Sequence, residues 1–152
     1  MFLRISLAIV LLLALPGSGA LAQVAEPALQ DAVQAYDSRM SLTSDPELLK
    51  TADFNGDGRP DVAAVLEGGG RSALVIFNRT ASGYAPHALY ASLPSAGFRL
   101  RVVPAGRYRT LDAGGMVEIG AAAVELVFPG RSSAMYVWAG DRNQVHPTEN
   151  YH

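Results

Sequence analysis

Two apolar runs, residues 61–66 and 73–77, constrain this chain more than any other feature of its sequence. Gly68, Gly69 and Gly70 lie between them and supply the positive φ values that a tight antiparallel hairpin demands. Successive strand residues point to opposite faces. Val62, Ala64 and Leu66 on one side, and Ala63 and Val65 on the other, are all apolar, and Leu74 and Ile76 alternate in the same way with Ala73, Val75 and Phe77. A hairpin apolar on both faces has to be central, with a layer packed on each side, because an exposed face of that size invites association.

The chain contains material for both layers. Leu29, Val33, Tyr36 and Met40 recur at helical spacing, and Pro27 sits where a first helical turn tolerates it, which predicts a helix over about residues 27–40. Asp45-Pro46-Glu47 can open one helical turn before a short strand at 48–52. Further strand patterns occupy 84–90, 98–103, 107–111, 116–119, 123–128, 134–138 and 144–146, punctuated by Gly- and Pro-containing turns. The expected fold is mainly β with one N-terminal helix: a small antiparallel meander sheet or a two-layer β fold carrying a loop between strands.

That loop is Asp53-Phe54-Asn55-Gly56-Asp57-Gly58-Arg59-Pro60-Asp61. Its oxygen-bearing side chains stand at positions 1, 3, 5 and 9, with Gly58 at the sixth position, where the backbone must turn sharply. Calcium takes about six to eight oxygen ligands, and alternate inward-pointing residues can provide them. The candidate ligands are the side chains of Asp53, Asn55, Asp57 and Asp61, with the backbone carbonyl of Arg59 in the seventh position. An EF-hand would close its shell with a glutamate at position 12, which here is Ala64, so closure falls to Asp61. The same composition also makes Asx-rich turns. A plain turn, however, does not require Asp at both ends with two more oxygen ligands between.

This Asp-x-Asn-x-Asp-Gly-x-x-Asp form, followed at once by an apolar strand, resembles over residues 49–77 the calcium loops of FG-GAP and VCBS-type repeats, familiar from the integrin alpha propeller and from exported bacterial proteins. The resemblance implies a loop joining two strands and a mainly structural Ca2+ held by Asp53, Asn55, Asp57, Arg59 and Asp61. The family's flanking Phe-Gly and Gly-Ala-Pro tags are missing, and the loop occurs once, so a single-copy form is expected in place of a many-bladed propeller.

Residues 1–4 are positively charged, 5–15 are continuously apolar, and Ala20-Leu21-Ala22 is a small-x-small site. Together these predict a signal peptide over 1–22 and a single exported domain over 23–152, periplasmic or secreted. The apolar run falls short of the ~20 residues a membrane helix needs, so no stable span is expected after cleavage. The sequence contains no cysteine, which excludes disulfides and thiolate chemistry. A formal net charge of −2 gives no general drive toward nucleic acid.

No Gly-x-Ser-x-Gly elbow, His-Glu-x-x-His helix or phosphate-cradling Gly-Lys loop is present. The expectation is a non-enzymatic exported domain with a binding or envelope role. The alternative is a small periplasmic hydrolase or an enzyme inhibitor, with Asp112, Glu118 or Glu125 brought beside His87 by folding. His146, Glu149 and His152 are spaced for one helical face, but Pro147 opposes a helix there. Asn78-Arg79-Thr80 matches a glycosylation sequon, and Tyr136 and Trp138 share a strand face that either stacks on a sugar or packs as a core or edge pair. Arg99, Arg101, Arg107 and Arg109 also alternate. With a turn at Pro104-Ala105-Gly106, Arg101 would face Arg109 and four guanidinium groups would gather on one ribbon. Either carboxylates such as Glu118 or Glu125 interleave among them, or they form a site for an anionic ligand such as a polysaccharide, lipid head group or acidic protein surface.

Overall fold

The computed structural model describes residues 26–94, 97–112, 114–131 and 133–148. The signal segment and two residues of the C-terminal triplet, Glu149 and His152, lie outside them. Among the described residues no helix is long and apolar enough to cross a membrane.

Helix α1 (Pro27–Tyr36) begins with its proline in the first turn and buries Leu29, Ala32 and Val33. It is shorter than the helical spacing predicted. Asp37 leaves helical geometry at φ −157 and ψ 112, and its carboxylate accepts the Arg39 amide at 3.0 Å. This local competition with the helix ladder turns the chain. Met40 therefore starts strand β1 (Met40–Leu42) while still burying its side chain against the helix. Next comes a 3-10 turn, Pro46–Leu48, capped by Asp45, whose Oδ1 accepts from the Glu47 amide at 2.9 Å.

The two apolar runs form β3 (Asp61–Gly68) and β4 (Arg71–Thr80), paired in the register Val62↔Phe77 through Gly68↔Arg71. Gly69 and Gly70 form the two-residue turn with φ 58 and 74, the doubly positive geometry that a tight hairpin favours. Strand β5 (Gly83–Leu93) covers the outer side of β4. Strand β1 and strand β2 (Leu49–Ala52) share the other edge of β3, against residues 66–68 and 61–64 respectively. A second sheet has the order β11 (Asn143–Thr148), β10 (Ser133–Trp138), β9 (Ala123–Val127), β6 (Arg99–Val103). Strands β7 (Gly106–Arg109) and β8 (Met116–Ile119) form a separate two-stranded ribbon. All strand pairs are antiparallel.

The central hairpin has a cover on each face. Val62, Ala64, Leu66, Ala73, Val75 and Phe77 pack under Leu29, Ala32 and Val33 of the helix. Ala63, Val65, Leu74 and Ile76 face Leu100, Val124, Leu126 and Tyr136 of the second sheet, with Phe54 and Leu93. Full burial of each large aliphatic or aromatic side chain contributes about 1.5–3 kcal/mol, so this sandwich of helix, sheet and sheet is the main stabilising unit. It also fixes the end of the hairpin at which the 53–61 loop emerges.

Candidate functional site

The loop of residues 53–60 connects β2 to β3, and the pairing Ala52↔Asp61 clamps its two ends. Its acidic and amide side chains turn inward onto its own backbone. Asp53 Oδ1 accepts from the amides of Gly56 at 2.7 Å and Asp57 at 3.1 Å, while Oδ2 accepts from Gly58 at 2.8 Å. Asn55 Oδ1 accepts from the Asp57 amide at 3.0 Å, and Asp57 Oδ1 from the Arg59 amide at 2.9 Å. Gly56 and Gly58 have φ 77 and 81, so both use the left-handed region that a side chain would strain. The loop docks on the second sheet: Phe54 is buried between the layers, and the Ala122 amide donates to the Asp53 carbonyl at 3.1 Å.

Asp61 is the loop's anchor and is fully buried. Its Oδ2 accepts from the amides of Phe54 at 2.9 Å and Asn55 at 3.2 Å, and its Oδ1 from the Arg79 amide at 2.7 Å. Burial pushes its carboxyl above the usual range and Asp57 adds to that, while the three amides pull the other way. Among the described residues no cationic side chain forms an ion pair with it.

The structure thus brings Asp53, Asn55, Asp57, Arg59 and Asp61 into one closed loop, but their carboxylates do not converge on a single point; among the described residues no group of three acidic or histidine side chains does. The donor chemistry nonetheless fits a hard cation, being oxygen throughout. A carboxylate oxygen that accepts one amide retains a further lone pair. A buried oxygen without a partner, Asn78 Oδ1, adds to that chemistry. In the sequence Asn78 stands out only as the first residue of a glycosylation sequon. At 5 % exposure it is closed to a glycan in the folded protein. The signal was present nonetheless: Asn78 is the polar residue that ends the apolar run 73–77, on the face it shares with Leu74 and Ile76.

The arginines are arranged differently from the expected ribbon. Strand β6 pairs with β9 and β7 with β8, so Arg101 does not face Arg109 across a hairpin. The reason lies in packing: Leu100 and Val103 of β6 bury against the core more profitably beside Val124 and Ala123 than on an isolated two-stranded ribbon. The new partners are the two carboxylates named from sequence, with Arg101↔Glu125 and Arg107↔Glu118 in register. Arg101 Nε donates to Glu125 Oε2 at 2.8 Å, and the other oxygen of the buried Glu125 accepts from Thr148 Oγ1 at 2.7 Å. Arg101 and Arg109 nonetheless line one small cavity of about 90 Å³ with Tyr108, Glu125 and Thr148. Arg99, Arg107 and Arg109 are exposed and make no ion pair with a described residue.

His87 stands edge-on to Trp138 at 5.0 Å and lines a cavity of about 350 Å³ with Tyr136 and Arg142, a lining that does not include Asp112, Glu118 or Glu125. Asp112 instead meets His146, with Oδ2 and Nδ1 2.7 Å apart, and His146 lies on strand β11, not on a helix. Tyr136 is a core residue. A cavity of about 560 Å³ lies between α1 and the ends of β2, β3 and β4; Leu29, Leu49 and Val62 line it together with Arg59, Arg79 and Glu26. Comparison of the chain with family models, curated proteins and solved structures finds no match.

Proposed function

We propose that this chain is a non-enzymatic exported domain, periplasmic or secreted, whose fold is stabilised by one Ca2+ at the loop from Asp53 to Asp61 and which serves a binding role in the envelope. The observation that carries this reading is Asp61: a completely buried carboxylate, with no cationic partner among the described residues, at the base of a loop that turns three further oxygen-bearing side chains inward. Three backbone amides partner this carboxylate without supplying a positive charge, and a bound cation would offset the remaining cost of burying it. The resemblance of Asp53-x-Asn55-x-Asp57-Gly58-x-x-Asp61 to FG-GAP and VCBS-type loops supports the same assignment, and residues 1–22 support export. When bound, the ion supplies positive charge to the loop; Asp53, Asn55, Asp57, Asp61 and the Arg59 carbonyl would hold it. For the partner we propose an anionic group at the arginine-bearing end, where Arg101 and Arg109 share a cavity and Arg99 and Arg107 are exposed.

Thermal melting of the mature protein in calcium and in chelator, with mass analysis of the bound ion, tests the central reading. Calcium at one hundred times its dissociation constant should stabilise the fold by about 2.7 kcal/mol. Equal melting temperatures would end it.

A further inference from the structure

We propose that Asn78 is a further oxygen donor to the ion of the 53–61 loop, supplying its side-chain carbonyl from the neighbouring strand; this rests on the calcium reading above. Residues 62 and 77 are partners in the β3–β4 ladder, so the next step of the antiparallel register sets Asp61 opposite Asn78. Both lie on one face. Val62 and Phe77 point toward the helix, and alternation therefore sends Asp61 and Asn78 to the other side, where Phe54 and the loop dock. Directly opposed residues have Cβ atoms about 4.5–5.5 Å apart, which brings the Asn78 amide beside the Asp61 carboxylate.

Asn78 is 5 % exposed, and its Oδ1 has no hydrogen-bond partner among the described residues. A buried carbonyl oxygen left unmade is costly, and such atoms in native structures call for an explanation. By this register the orphan oxygen falls across from a buried carboxylate whose own oxygens accept from the amides of Phe54, Asn55 and Arg79. Two acceptors side by side, with no donor for one of them, form an arrangement that a hard cation satisfies. The competing arrangement is the opposite amide orientation, in which Nδ2 donates to Asp61 and Asn78 acts only on the fold.

Calcium titration of wild type, Asn78→Leu and Asn78→Asp by calorimetry, with melts in chelator, separates these. As an oxygen donor, Asn78 makes Asn78→Leu lose about tenfold or more in calcium affinity while its melting temperature in chelator stays at or above that of wild type, because an unpartnered oxygen has been removed. Asn78→Asp keeps an oxygen there and should bind calcium at least as tightly as wild type. Wild-type affinity in Asn78→Leu would overturn the proposal, as would weakened binding in Asn78→Asp, the result expected of an amide donor. Should Asn78→Leu fail to fold, the Asn78→Asp titration alone decides. Absence of calcium binding by wild type would sink the underlying reading and this one with it, whereas binding by wild type with Asn78→Leu unchanged sinks this one alone.

Discussion

The backbone amide of Arg79, on β4, donates to Oδ1 of Asp61, the first residue of β3, at 2.7 Å. One carboxylate thus ties the central hairpin to the loop, since its other oxygen takes the amides of Phe54 and Asn55. Asp61→Asn sets an NH2 group against amides that are themselves donors. It should destabilise the protein in chelator by about 1–3 kcal/mol and weaken calcium binding as well. Urea unfolding with and without calcium measures both, and a variant equal to wild type in both would remove Asp61 from its anchoring role.

Asp57 is exposed and holds only the Arg59 amide and a long contact from Asn55 at 3.4 Å, so the fold depends on it little. Asp57→Ala is therefore expected to melt within about 1 kcal/mol of wild type in chelator. It should also lose most of the calcium-induced gain. A variant that keeps the full gain would show that Asp57 does not face the ion.

Glu125 is buried with a side-chain exposure of 4 %, whereas its partner Arg101 is 60 % exposed. Arg101→Ala should cost about 1–3 kcal/mol by leaving a buried carboxylate with only the Thr148 hydroxyl, a cost moderated by solvent at the cavity mouth. Glu125→Leu should cost less than Arg101→Ala, because it removes the buried charge instead of stranding it. Chemical denaturation of the two variants, compared directly, checks the order.

Gly68, just before the central turn, and Gly70, within it, both have positive φ, yet they differ in what surrounds them. A Cβ on Gly68 would lie 1.9 Å from the Arg39 carbonyl oxygen, and one on Gly70 would meet nothing within 4 Å. Gly70→Ala should cost about 1–2 kcal/mol from its left-handed backbone alone. Gly68→Ala should cost clearly more, since β1 must leave β3, and amide exchange at residues 40–42 should rise in that variant only.

The Asp37 carboxylate takes the Arg39 side chain and amide, together with the Arg71 guanidinium at 2.9 Å, which hold it well below the usual carboxylate range. Its folded-state pKa is depressed, so its contribution is fully present above the unfolded value of about 3.9 and is lost as pH falls toward the folded value. Stability measured from pH 6 downward should decline in acid, and Asp37→Asn should flatten that decline. An acid limb unchanged in the variant would assign the loss to other carboxylates.

Some of this architecture follows from sequence alone because it depends on local chemistry. The 61–66 and 73–77 runs alternate in pattern but are apolar on both faces, so a central hairpin with two covers was the available solution, and Gly69-Gly70 set its turn. The spacing of Asp53, Asn55, Asp57 and Asp61 likewise made a closed, inward-turning loop legible, because side chain to backbone hydrogen bonds reach only a few residues. Tertiary structure decided what depends on distant partners. The helix stopped at Tyr36 because Asp37 could bond Arg39 while Met40 found a place beside Gly68. Neighbouring arginine strands β6 and β7 did not pair, because β6 buries more beside β9, some twenty residues on. The place of Asn78, one step beyond the Val62↔Phe77 pair and toward Asp61, was set only with the hairpin register, since a ladder fixes which side chains meet across it and a one-residue slip would have turned Asn78 to the helix face.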